Sequence, residues 1–351
     1  MIHAARFSGR HTPAKPSQAA KGYSFGRKVG KWLIVLVLAA ALVYTAKQAI
    51  SFWQPLPNLP NQNNYPIGTN YKDRINLLLV SFEGEEVSWL GVLSISTDQK
   101  ILFLPLDPGL TANLAGSRGE YRLASAWKLG NLDGGEGMNL LWDSVSRELA
   151  VPIDGYIATT DWPVVAARFG GDAPSILATV TSPFFLAKAL VTDPWPNGAT
   201  ASLSRWEIWS RLTTLGDRDL ESLSLSGVTT SVAVGGQGVP AIEAESFDSR
   251  LGPLFREAGI AKAHSKVSIV NASGIPGAAV ELARYVRNLG GEVIGIESAA
   301  TPAKKSTILD HTKGSLSSRL APLIRADVTR DTQALRSDLE ITIGENAQGV
   351  F

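Results

Sequence analysis

The chain has 351 residues, with 33 basic and 32 acidic side chains, four histidines and no cysteine. The length leaves room for two domains, which must be held by apolar cores rather than disulfides, and a hydrophobic content of 44% is enough for that. His3, His11, His264 and His311 stand at no zinc-ligand spacing, which excludes a histidine-based zinc centre.

Residues 1–31 mix Gly, Ser, Pro and basic residues without apolar periodicity, as a disordered tail does. They carry Arg6, Arg10, Lys15, Lys21, Arg27, Lys28 and Lys31, and no acid occurs before Asp73. The rest of the chain keeps 26 basic against 32 acidic residues, a net of −6, which argues against nucleic-acid binding there. A basic segment before an apolar one reads as a topology signal and a partner for anionic lipid.

Residues 32–53 form the most apolar stretch, uncharged from Trp32 to Ala46. Fifteen helical residues rise only about 22 Å, short of a hydrocarbon core of about 30 Å. A span must therefore continue past Lys47, whose ammonium can snorkel to water, through Ile50 and Phe52 to Trp53. Trp32, Tyr44 and Trp53 suit the interfacial belts. A buried soluble helix would show a polar face, and none precedes Lys47. A cleaved signal needs small residues before the cut, where Tyr44 and Lys47 stand instead. The expectation is a single uncleaved transmembrane anchor in a cytoplasmic membrane, tail inside and everything after Trp53 outside.

Residues 54–70, rich in Pro and Asn, form a semi-extended spacer. The first exported domain, residues 71–259, opens with the apolar run Ile75–Val80, a central-strand pattern. Leu90–Ser96 and Ile101–Pro105 form a hairpin, followed by a long irregular loop over 107–120. A Gly-rich segment leads into a helix over 138–149, and a strand covers 153–157. A helix follows Thr160 to Phe169, residues 175–200 give no clear pattern, and 201–215 and 247–258 read as helices flanking a strand at 228–234.

A short connection over 260–265 leads to the second domain, residues 260–351. Strands at 266–271, 292–297, 306–309 and 339–343 alternate with helices at 278–289 and 315–324, which makes a small α/β unit. The turn N-A-S-G-I-P-G before the first helix could face an anion with its N–H groups. The plainer reading is a turn that needs glycine torsions at Gly274 and Gly277. The fold class is thus α/β: one transmembrane helix, a mixed-sheet domain and a small α/β terminal domain.

No phosphate-binding loop and no G-x-S-x-G elbow occurs. The terminal stretch V-S-I-V-N-A-S-G-I-P-G-A-A with R-Y-V-R-N-L-G-G-E-V-I resembles the LytR C-terminal domain, over about 267–344. The preceding domain resembles the LytR-CpsA-Psr family of cell-envelope proteins, in I-N-L-L-L-V, L-F-L-P-L-D, V-P-I-D-G-Y-I, F-G-G and F-D-S-R-L-G-P-L-F. The resemblance implies a polyprenyl-pyrophosphate-linked glycan as ligand, gripped by arginines and Mg²⁺-binding aspartates and transferred to peptidoglycan.

The chain departs from that pattern at its charges. Val87-Ser88-Trp89 stands where the family has Arg-Ser-Asp, and Pro105-Leu106-Asp107 where it has Pro-Arg-Asp. Only Asp107 matches, as a catalytic or Mg²⁺-binding carboxylate or as a relic that caps a loop. Arg118, Arg122, Arg205, Arg211 and Arg218 are the available replacement cations. Trp206, Trp209 and Leu212 form a helical stripe, which suits core packing or a lipid-lined cavity. Three functions stay open: a non-catalytic module that binds envelope glycopolymer, polyprenyl lipid or a partner protein; an active glycopolymer transferase with relocated arginines; and an anchored interaction protein acting through its terminal domain.

Overall fold

The computed structural model describes residues 22–53, 73–96, 100–116, 118–134, 136–159, 198–200, 220–234, 236–312, 314–331 and 336–351. The chain divides into two compact units, residues 1–51 and 52–351.

The first unit contains nearly all of helix α1, Gly22–Trp53, which starts ten residues before the expected span. Its described apolar side chains lie open on every side: Leu36 is 68% exposed and Leu42 70%. Among the described residues no helix is long and apolar enough to cross a membrane. The uncharged side chains described, Leu33–Ala46, would cover only about 21 Å.

The second unit begins with β1, Arg74–Glu83, whose residues are all buried except Glu83. It pairs antiparallel with β2 (Glu86–Ser96), which pairs antiparallel with β3 (Ile101–Leu106). The β2–β3 hairpin is as expected. The β1–β2 hairpin was not, because its turn hides in acidic Glu83-Gly84-Glu85, where Gly84 takes φ +62°. Residues 107–120 are not an irregular loop throughout: β4 (Thr111–Leu114) and β5 (Gly119–Arg122) form there. Pieces of four residues carry too little periodicity to show in sequence.

Helices α2 (Ser125–Leu132) and α3 (Gly137–Leu149) pack through glycine. A Cβ on Gly137 would stand 2.4 Å from the Trp127 carbonyl oxygen. Strands β6 (Gly155–Thr159), β7 (Gly198–Thr200) and β8 (Leu220–Ser222) complete a mixed six-stranded sheet in the order β7-β6-β1-β2-β3-β8. Strands β9 (Thr229–Val234) and β10 (Gln237–Ile242) join β4 and β5 in a second sheet. Leu78, Val80, Leu102 and Leu104 share one apolar core with Leu141, Val145 and Leu149 of α3. Ile75, Leu77, Leu93 and Ile95, equally buried, stand outside that cluster.

The helix expected over 247–258 is broken. It consists of α4 (Ala244–Arg250), a 3₁₀ turn Gly252–Phe255 and α5 (Ala258–Ala263). Pro253 lacks the N–H that a continuous helix needs there. The supposed connection at 260–265 is therefore largely α5, and its Ile260 lies in the terminal core.

That terminal region is a five-stranded sheet in the order β12-β11-β15-β13-β14. Its strands are β11 (Lys266–Asn271), β12 (Glu292–Ser298), β13 (Thr307–Asp310), β14 (Asp327–Arg330) and β15 (Leu339–Ile343). All but β14, four exposed residues, match expectation. Helices α6 (Ala278–Leu289) and α7 (Ser315–Ile324) contribute Leu282, Val286, Leu316 and Leu320 to a core shared with Ile269, Ile308 and Ile341 of the sheet. The N-A-S-G-I-P-G turn is held by its own side chains. Asn271 Oδ1 accepts from the Ser273 N–H at 3.1 Å and hydroxyl at 2.7 Å, with Gly274 and Gly277 at φ +77° and +84°.

Candidate functional site

Asp107 directly follows β3 and is exposed. Its Oδ1 accepts the Gly109 N–H at 2.7 Å, while its carbonyl accepts the Leu110 N–H at 3.0 Å. The residue thus closes the turn out of β3, the ordinary work of an Asx residue. With one carboxylate oxygen committed, it offers little to a cation alone. Among the described residues no group of three or more His, Cys, Asp or Glu could hold a metal ion.

The positions where the family pattern has charge are filled by packing. Val87, 8% exposed, joins the core. Ser88 donates its hydroxyl to the Ser81 carbonyl at 3.2 Å. Trp89 stacks on Phe103 with ring centroids 5.8 Å apart and planes at 14°. Gly91 makes room for that pair, since a Cβ there would stand 2.9 Å from Phe103. Leu106, 3% exposed, lies in the same core as Val87. All of these lie on β2 and β3.

Of the replacement cations, Arg118 and Arg122 fall among the described residues. Arg118 forms an exposed ion pair with Asp133 beyond α2. Arg122 is exposed on β5, opposite Thr111. Arg205, Arg211, Arg218, Trp206 and Trp209 lie outside the described residues, as does the helix expected over 160–169. In α1, Tyr44 and Lys47 are exposed, whereas the side chains of Trp32 and Trp53 lie outside the description.

Among the described residues, buried charge collects elsewhere, between the elements of the first apolar core and those of the second. Arg319 of α7, 8% exposed, bonds Asp154 and, at 2.5 Å, Glu257. Arg147 of α3 holds Glu281 of α6 with two bonds, at 2.7 and 2.8 Å. Arg284 of α6 grips Asp248 of α4 at 2.6 and 3.1 Å. Asn288 donates to the Leu149 and Ala150 carbonyls, both at 3.3 Å, at the end of α3. Two acids on α3 hold protons unusually well. Burial pushes Asp143 up to about 7 against the pull of Arg325, and Glu148 up to about 7 against Arg284 and Arg147. Glu257 is also raised by burial, with Arg319 opposing.

Sequence reasoning missed this seam. Asp154 stands inside V-P-I-D-G-Y-I, but nothing local marks Arg319 as its partner 165 residues away.

No family profile matches the chain, and no curated protein is similar to it by sequence. Solved structures are similar at low identity. Bacillus subtilis TagV is 12% identical over 51% of this chain and 94% of its own, with a TM-score of 0.39. TagT, a LytR-CPS2A-psr family protein solved with bound octaprenyl pyrophosphate lipid, is 13% identical over 55% of this chain and 95% of its own, with a TM-score of 0.37. A transcriptional regulator of Enterococcus faecalis is 11% identical over 63% of this chain and 89% of its own, with a TM-score of 0.39.

Proposed function

We propose that this chain is a membrane-anchored, extracytoplasmic protein of the LytR-CpsA-Psr type that binds an envelope ligand without transferring it. The observation that carries this reading is the burial of Val87 and Leu106 in one apolar core. An arginine at either place would have to bring its charge into that apolar core or push out of it. Phosphoryl transfer from a pyrophosphate needs planar cations or a metal at the leaving group. Neither charge-bearing motif is present, and Asp107 serves a turn.

The anchor in this proposal is α1, with its tail in the cytoplasm and residues after Trp53 outside. What supports it is a helix carrying exposed Leu, Ile and Val on all sides, which lipid would cover and water would not. The ligand is a polyprenyl-linked glycan or the lipid itself, the class implied by the resemblance in sequence.

Two measurements on the purified full chain test the reading. Octaprenyl pyrophosphate should bind, measured by lipid extraction after gel filtration. A polyprenyl-pyrophosphate glycan offered with Mg²⁺ and peptidoglycan should give no released polyprenyl monophosphate and no glycan phosphate joined to peptidoglycan. Turnover above a protein-free control would refute the non-catalytic reading, and absence of lipid binding would refute the ligand class.

A further inference from the structure

Asp154 occupies an unusual place. It sits one residue before β6 and extends the β1–β6 pairing by a two-way bond with Asn76. Its Oδ2 accepts the Asn76 N–H at 2.7 Å, and its own N–H donates to the Asn76 carbonyl at 2.7 Å. Asn76 Nδ2 in turn donates to the Pro152 carbonyl at 2.9 Å. The same Asp154 carboxylate is gripped by both terminal nitrogens of Arg319, which comes from α7 of the terminal domain. The third contact of that guanidinium, Nε to Glu257, ties in the segment that joins the two domains. Asp154, Glu257 and Arg319 are 5%, 5% and 8% exposed.

One cation therefore neutralises two carboxylates that have no other access to water, and one of those carboxylates positions the first bonds of the central strand. A carboxylate left buried without its cation takes up a proton or turns toward solvent. Either response weakens its bond to the Asn76 N–H. The terminal core draws its apolar side chains for the most part from its own sheet and helices, and the start of β11 is held within that sheet by Asp338, which accepts the Lys266 N–H at 2.8 Å.

We infer that Arg319 is a latch by which the terminal domain holds the Asn76 end of β1 in place. Loss of its grip loosens β1 while the terminal sheet stays folded. A ligand or partner that pulls on α7 would be felt at the front sheet through Arg319, Asp154 and Asn76, in that order. The terminal domain is on this view a control element for the front domain rather than a tethered module.

Hydrogen–deuterium exchange on the full chain tests this, with Arg319→Leu and Arg319→Lys beside the unaltered protein. In Arg319→Leu, exchange over Asn76–Leu78 should speed up about tenfold or more, while exchange at Ile269 and Ile341 stays within about twofold. Arg319→Lys, which keeps the charge but not the fork, should fall between. The latch is overturned if β1 exchange does not change, or if β1 and the terminal strands speed up by the same factor, as in plain destabilisation. Should Arg319→Leu fail to fold, Arg319→Lys decides alone: without a selective rise in β1 the proposal fails.

Discussion

The ends of β2 and β3 and the seam between the domains handle charge in opposite ways. At the first, Val87, Trp89 and Leu106 pack into or against the sheet, while the carboxylates stay at the surface, Asp107 closing a turn and Glu86 pairing with Lys128. At the second, Arg147, Arg284 and Arg319 each hold a carboxylate of the other domain or of the joining segment with limited access to water. Ion pairs in the interior seldom add net stability, but they punish misalignment, because any shift strands a charge. Among the described residues, these buried ion pairs tie the elements of one core to those of the other.

The sharpest way to break that contrast is to put an arginine back. Leu106→Arg restores the cation of the family motif at a position 3% exposed. Placed in that apolar core, it should destabilise the fold by about 3–5 kcal/mol, the cost of burying a charge without a partner in the core. Chemical denaturation of the full chain measures this. A loss below about 1 kcal/mol would mean that the end of β3 can open to water, and the contrast would dissolve.

Much of the fold was legible because the strong signals are local. The β11–α6–β12 unit shows its alternation, its amphipathic helix and its glycine stops within 33 residues, Lys266–Ser298. The segment from Glu243 to His264 misled because Phe247, Leu251, Leu254 and Phe255 keep a helical spacing through a proline that breaks the helix. The loss of charge at Val87–Trp89 and Leu106 was also legible, from the resemblance. Its meaning was not, since only three dimensions show that these side chains belong to a core rather than to an emptied loop. The seam was invisible, because its pairs join residues 134, 165 and 62 positions apart.

Acidity separates the two regions again. Asp143 and Glu148 sit on α3, where α3 meets the terminal domain, and burial holds both near 7. Asp143 feels Arg325, Glu136 and Tyr285, and Glu148 feels Arg284, Arg147, Glu281 and the Asn113 backbone N–H. Their folded values lie above the unfolded range of about 4, so they bind protons more tightly when folded. The stability that follows is fully present below about pH 4 and is lost as pH rises through about 7. Both side chains are only partly buried, so water screens them, and between pH 5 and pH 8 the full chain should lose about 1–2 kcal/mol rather than the roughly 5 kcal/mol that unscreened shifts of this size would give. Asp143→Asn and Glu148→Gln should each flatten the slope, and a stability that rises over this interval would contradict the assignment.

A smaller effect probes a neutral member of the seam. Tyr285 is 1% exposed, and its hydroxyl lies 3.2 Å from that of Ser146. Tyr285→Phe should cost about 1 kcal/mol, the net worth of one hydrogen bond. Because the pair is uncharged, the loss should be the same at pH 5 and pH 8. A pH-dependent loss would show that Tyr285 reports on Asp143, whose charge reaches it.

The smallest expected effect tests the region that resembles an active site. Asp107→Ala removes the acceptor for the Gly109 N–H but leaves the backbone bond from Leu110 in place. Both Asp107 and its turn are open to water, so the freed N–H is hydrated at little cost, and stability should fall by only about 0.5–1 kcal/mol. Binding of octaprenyl pyrophosphate should change less than about twofold, because a turn residue gives no bond to the ligand. Asp107→Asn, which keeps an acceptor oxygen but not the charge, should restore most of the lost stability. If instead both variants bind the lipid about tenfold more weakly and Mg²⁺ no longer affects binding, the carboxylate touches the ligand through a metal. Charge at the end of β3 would then serve recognition as well as the turn, and the division between the two regions would fail at its weakest point.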